Sequence, residues 1–395
     1  MKKIIAILLC AVMLVFLLAG CTETDVNNPP PTGENSAPPT DSDDNSTPDS
    51  ETDTEIDETD SSPDFDAAFT AFSPDTVIMR AADTDVLWGE FFYYLRDNVN
   101  YLLSVFGEIS DWNDILYEDV TFADSVISAS VDNALFFKSV EYGAALTGVT
   151  LGDAALASLR NDIAQMEEHF GGEEEFIRLL WEEDGFYSRE LFEHLMSISY
   201  LIEVLFTELF GESGESLPDE DVAELSASEG YLMAKHILIQ PPDDSDDDRE
   251  DNALEEIESV LSRLNSYRGS DFDAFFDELM FANSADSGGL IDNPGGYLFQ
   301  DGDMTQSFHD AAAALEIGEV SEIIESDHGF HIIYRLPLDY DAVPFSLYSR
   351  GDFRSLRHIS ALTKLEMTLN EWKDILVPEF TDNYHAIDID AMFAE

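Results

Sequence analysis

Positive charge is scarce in this chain. Of 395 residues, 18 are Lys or Arg and 84 are Asp or Glu, a formal net charge of −66 at pH 7. Such a surface repels phosphate backbones, which excludes nucleic acid as a partner. Cationic polypeptides remain compatible, and the plain effect of the charge is to keep a surface protein soluble. Cysteine is nearly absent too: Cys10 and Cys21 are the only two. Beyond residue 21 there is no thiol for a disulfide, a nucleophile or a thiolate metal site. No HExxH pair, Gly-rich phosphate loop or Gly-x-Ser-x-Gly elbow occurs. His328 and His331 lie three apart, and strand parity would put them on opposite faces. Neither a metal nor a cofactor is expected. Apolar residues still make up 44%, with 27 Phe, 14 Tyr and 4 Trp. That is enough for a sizeable core in two or three domains.

At the start, Lys2 and Lys3 precede an apolar run of 16 residues, Ile4–Ala19. A membrane-spanning helix needs about 20. The run closes on Leu18-Ala19-Gly20-Cys21. Positive residues, a short apolar core and small residues in that order read as a signal peptide over 1–20. The small residues before the cysteine resemble the bacterial lipobox. That resemblance implies lipidation of Cys21 and a chain anchored at the cell membrane, on its extracytoplasmic face. An uncleaved membrane anchor is the alternative, and it also puts the rest of the chain outside the cytoplasm. Residues 21–66 follow with no Lys or Arg and mostly Pro, Ser, Thr, Asp and Glu. Such a segment cannot offset its ordering entropy by burial and is expected to be a disordered acidic tether.

Folded sequence is expected from near Phe69. "TVIMRA" (76–81) reads as a strand, and apolar residues recur at helical spacing over 84–106. Further helices are expected over 122–147, 151–170, 173–184 and 186–211. These belong to a mainly helical domain, 67–227. Residues 228–340 change character to strand ("YLMAKHILIQ"), two amphipathic helices (252–267, 271–281), strand ("GGYLF"), helix (304–318, ending at Gly318) and a strand pair. The fold class is α+β, a helical domain with an inserted β-α-α-β-α-β-β unit. Residues 341–395, helical over 345–376, are expected to pack back on the first domain. His309 and His358 are expected on helix surfaces.

Two histidines, His236 in "KHILI" and His331 in "GFHIIYR", stand among strand aliphatics. Either they are unrelated core histidines, or their strands pair and the rings meet. "KHILI", "FANSAD", "GGYLF", "GDMTQSFHDAAAALEIGEVSEIIES" and "HGFHIIYR" follow the order and spacing of parvulin-type peptidyl-prolyl cis-trans isomerases, which this region resembles. With the lipobox and flanking helices, the whole chain looks like a PrsA-type extracytoplasmic foldase lipoprotein. The helical part resembles, by pattern, the chaperone region of SurA-like proteins.

That resemblance implies the site. Asp286 falls where the family has Cys or Asp. His236 and His331 would form a hydrogen-bonded scaffold with Ser326, which replaces the usual Thr. Met304 and Phe308 would line the proline socket. The family's "GGDLG" is shortened to "GGYLF", and Leu298 is assigned to the pocket. Rotation about a peptide bond faces a barrier of about 18–20 kcal/mol. X-Pro bonds populate both isomers and exchange slowly. Catalysis then needs an apolar socket and a polar environment for the twisted amide, with no bond broken. The expected function is a membrane-anchored isomerase assisting unfolded or partly folded secreted polypeptides with X-Pro bonds. A non-catalytic holdase is the alternative, motivated by the shortened Gly turn. A plain surface lipoprotein is favoured only by the tether.

Overall fold

The computed structural model describes residues 63–81, 84–241 and 249–393. The signal-like segment 1–20, Cys21, most of the 21–66 tether and part of the acidic loop (242–248) lie outside the described residues. Among the described residues no helix is long and apolar enough to cross a membrane. Nine strands are described: β1 (Val77–Ala81), β2 (Thr84–Leu87), β3 (Ile115–Tyr117), β4 (Val120–Thr121), β5 (Leu232–Ile239), β6 (Tyr297–Phe299), β7 (Ile324–Ser326), β8 (Gly329–Leu336) and β9 (Glu379–Phe380).

The chain divides into two compact units. One holds the described residues up to Lys138, then Ala157–Ser199 and those from Leu376 on. The other holds Ser139–Leu156 and Tyr200–Ile375. The first is built on the Trp88–Phe106 helix, whose Trp88, Phe91, Phe92, Leu95, Val99 and Leu102 are buried at one-face helical spacing. Gly107, at φ 77°, ends it. Folding starts earlier than Phe69: Asp64 accepts from Ala67 N and caps a helix over Phe65–Phe69. The helix expected from residue 84 starts at Trp88 instead. Thr84–Leu87 pairs with β1, and Val86 is buried opposite Met79. The third strand of this sheet is β9, beside β1.

The second unit contains an antiparallel sheet in the order β6-β5-β8-β7. Strand parity divides its side chains into two faces. One face carries Ile237, Ile239, Ile332 and Tyr334, covered by helices Arg249–Ser266 and Phe272–Asn283. The first helix buries Ala253, Ile257, Val260 and Leu264. The second is capped by Asp271, which accepts from Ala274 N at 3.0 Å. The other face carries Ala234, His236, His331 and Ile333. It meets helix Gln306–Ala314 through Phe308 and Ala312. This helix stops short of Gly318, because Leu315 is already extended. Gly318, at φ 88°, instead turns the chain back so that its N–H donates to Arg335 O.

Gly329 closes the hairpin between β7 and β8. A Cβ there would lie 2.5 Å from Ile239 O, and its φ is 123°, so only glycine fits without strain. The helix expected over 345–376 is interrupted: Phe345–Tyr348 and Leu356–Ile375 are separate, with Gly351 at φ 78° between them. Phe345–Tyr348 packs on β6, and Leu356–Ile375 packs on Asp219–Ser228. Neither His309 nor His358 is a free surface residue. His309 meets the Phe299 ring and His358 the Phe206 ring.

Both faces of the sheet are covered by helices of the stretch 228–349, and Phe345 packs on the second face. A fragment 228–349 should therefore unfold cooperatively in urea. One ending at 340 loses the Phe345 cover and should be about 1.5 kcal/mol less stable, read by circular dichroism.

Candidate active site

The site is a line of hydrogen bonds across the face that bears the histidines. β5 and β8 pair with His236 opposite Ile333 and Leu238 opposite His331. This register brings the two rings side by side. They stack at 5.2 Å with an interplanar angle of 14°, and the Nδ1 atoms are 3.1 Å apart. His236 Nε2 lies 2.6 Å from Asp286 Oδ2. Ser326 Oγ lies 2.7 Å from His331 Nε2. Tyr297 donates its hydroxyl to the same Asp286 Oδ2 at 2.9 Å.

The donors run in one direction when both rings are neutral. Ser326 O–H donates to His331 Nε2, His331 Nδ1–H to His236 Nδ1, and His236 Nε2–H to the carboxylate. Every ring nitrogen is then satisfied, as two buried imidazoles require. Ser326 Oγ also accepts from His328 N at 3.1 Å. His328 itself is exposed in the hairpin turn.

Asp286 stands at the N-cap position of the short helix Ser287–Ile291. Ser284 Oγ accepts from both Leu238 N and Asp286 N, tying the loop to β5. Gly289 lets the carboxylate approach, since a Cβ there would lie 2.5 Å from Asp286 Oδ2.

The apolar part of the site lies alongside. Phe308 meets the His236 ring edge-on at 5.2 Å and the His331 ring at 5.7 Å. Its exposure is 3%. Met304, half-buried on the same cluster, is therefore the first apolar surface of this pair that a substrate meets. Leu298 does not join them. It is paired with Met233, so parity turns it to the opposite face from Tyr297 and Phe299. The structure thus brings Asp286, His236, His331, Ser326, Met304 and Phe308 onto one face and leaves Leu298 off it. Tyr297 was not among the expected residues. Its signal was its place beside Leu298 in "GGYLF", one strand position away.

A family model described as "Rotamase: PPIC-type PPIASE domain" matches residues 236–336. Residues 236–336 are a parvulin-type peptidyl-prolyl isomerase domain. The chain is 30% identical over 177 residues to Foldase protein PrsA of Oceanobacillus iheyensis, covering 44% of this chain and 50% of that protein. It is 30% identical over 200 residues to Chaperone SurA of Nitrosospira multiformis, covering 47% and 41%. The chain spans about half the length of the curated relatives it matches. A crystal structure of PrsA from Bacillus subtilis matches at 19% identity and a TM-score of 0.23, covering 76% of this chain and 91% of that one.

Electrostatics in the isomerase domain follow from burial and from these bonds. Burial pushes the Asp286 carboxyl up. The hydrogen bond and charge of His236, the Tyr297 hydroxyl and the Gly289 N–H outweigh it and bring the pKa down to about 2. His331 falls to about 4, first because it is desolvated and then because His236 and His328 disfavour a second positive charge.

An unfolded histidine titrates near 6.5. Between about pH 6.5 and about 4 the unfolded chain therefore binds a proton at position 331 that the folded chain does not. Stability supplied by neutral His331 is complete above 6.5 and is lost as pH falls through that window. His331→Gln should flatten the slope of urea stability against pH there. Gly289→Ala should displace the Asp286 carboxylate while leaving both sheet faces packed, visible as lost isomerase turnover in a protein with native circular dichroism.

Proposed function

We propose that this chain is a membrane-anchored extracytoplasmic peptidyl-prolyl cis-trans isomerase that assists the folding of secreted polypeptides. The observation that carries this reading is the line Ser326–His331–His236–Asp286 ending beside Phe308 and Met304. Ionised Asp286 supplies a fixed negative charge where an amide carbonyl would sit. It disfavours the planar amide, whose resonance puts charge on the carbonyl oxygen, relative to the twisted one. The histidine pair holds Asp286 and transfers no proton, because rotation breaks no bond. Met304 and Phe308 take the proline ring. The isomerase domain match and the similarity to Foldase protein PrsA support the activity. The lipobox-like ending at Cys21 supports the anchor.

The test is refolding of a protein limited by proline isomerisation. Wild type should accelerate it. Phe308→Ala should lower kcat/KM about tenfold, or about 1.4 kcal/mol, and Met304→Ala less, since methionine is adaptable. Asp286→Asn should lower kcat by a similar factor at native stability. His236→Ala should lose activity and about 1–3 kcal/mol of stability together, because it leaves buried polar groups unpaired. Full activity in Asp286→Asn would remove Asp286 from the mechanism, and an inactive wild type would leave the holdase reading. Cys21→Ser should release the chain from membranes or leave an unprocessed precursor, read by fractionation and mass.

A further inference from the structure

Two side chains donate to the Asp286 carboxylate, and only one of them belongs to the histidine line. We propose that Tyr297 is a positioning residue of the isomerase site: its hydroxyl pins the Asp286 carboxylate so that Oδ1 is presented to the substrate amide. This rests on the isomerase reading above.

The need for a second donor is torsional. The carboxylate turns about a sp³–sp² bond, a broad two-fold torsion. One bond, from His236 Nε2, leaves that rotation open. Tyr297 approaches from the neighbouring strand, β6, and donates to the same oxygen, Oδ2. Among the described residues no side-chain hydrogen bond reaches Oδ1.

The Tyr297 ring is itself held on two sides. It meets the His236 ring edge-on at 5.9 Å and 77°. Phe345 backs it at 5.5 Å and 87°. Tyr297, Asp286 and His236 thus close a triangle in which each member touches the other two. Opposite Tyr297 on β5 stands Ala234, small enough to leave room for the ring on this face. Tyr297 is buried, 8% exposed as a residue, which limits the water that competes for the bond. Burial, then the hydrogen bond and charge of Asp286, raise the phenol, and it stays a donor throughout the working range.

Tyr297→Phe keeps the ring and both ring contacts and removes the hydroxyl alone. The expected result is native circular dichroism, an unchanged KM for an X-Pro peptide and a kcat about tenfold lower. The acid limb of kcat should move up from near pH 2 towards the ordinary aspartate range. A carbon-13 titration of the Asp286 carboxyl in the full chain should show the same movement. An unchanged kcat overturns the proposal, and so does a raised KM at unchanged kcat, which would make Tyr297 a wall of the pocket. Should Tyr297→Phe fail to fold, Phe345→Ala, which frees the ring but keeps the hydroxyl, decides: kcat should fall, and no change overturns the proposal. An inactive wild type would sink the isomerase reading alone. The carboxyl titration then still tests the Tyr297 hold, and an unmoved value overturns it.

Discussion

The contact between His236 and His331 is the constraint on which the domain depends. Two imidazoles buried side by side must each find hydrogen-bond partners, and burial disfavours a positive charge on both at once. The pair therefore requires an acceptor at one end and a donor at the other, which Asp286 and Ser326 provide. Those two residues lie on different connections, one after the helices of the first face and one in the closing hairpin. Their meeting requires the register of β5 against β8. A slip of one strand by one residue would turn its histidine to the opposite face, away from the other histidine, so the polar line and the sheet register stabilise each other.

The two faces divide the labour accordingly. The face of Ile237, Ile239, Ile332 and Tyr334 is sealed by two long helices and supplies stability. The face of the histidines is closed by one short helix and a single turn after the domain. It is this lighter cover that leaves a carboxylate and a thioether partly open beside a buried polar line. Loosely covered elements are where functional motion is available at low free-energy cost.

Much of this was legible in the sequence where one position carries its own chemistry. A histidine within a run of strand aliphatics stands out. The Met304/Phe308 spacing predicts one shared helix face, and the two do share one apolar cluster, although Met304 lies before the helix, whose N-cap is Thr305. What was not legible depended on pairing between distant segments. Leu298 was assigned to the pocket because "GGYLF" does not state which of its residues faces which side. The Met233–Leu298 register decides that, and it places Tyr297 inward instead. The hydroxyl of Tyr297 could not be matched to Asp286 for the same reason. Helix ends were misread where glycine serves tertiary geometry: Gly318 turns the chain onto β8 after the helix has already ended. The Thr84–Leu87 strand was hidden because it is only four residues long and its Val86 and Leu87 run straight into the helical spacing that follows.

The carboxylate at the head of the polar line has a chemical consequence of its own. A thiol in that place would climb the oxidation ladder from sulfenic acid upward, and the site would then report on the redox state around it. Asp286 has no such ladder. Neither the imidazoles nor the Ser326 and Tyr297 hydroxyls add a comparably labile group, and among the site residues described the thioether of Met304 is the one readily oxidised position. Oxidant exposure would therefore alter the apolar grip on a substrate, through a polar sulfoxide in the socket, while leaving the hydrogen-bonded line chemically intact.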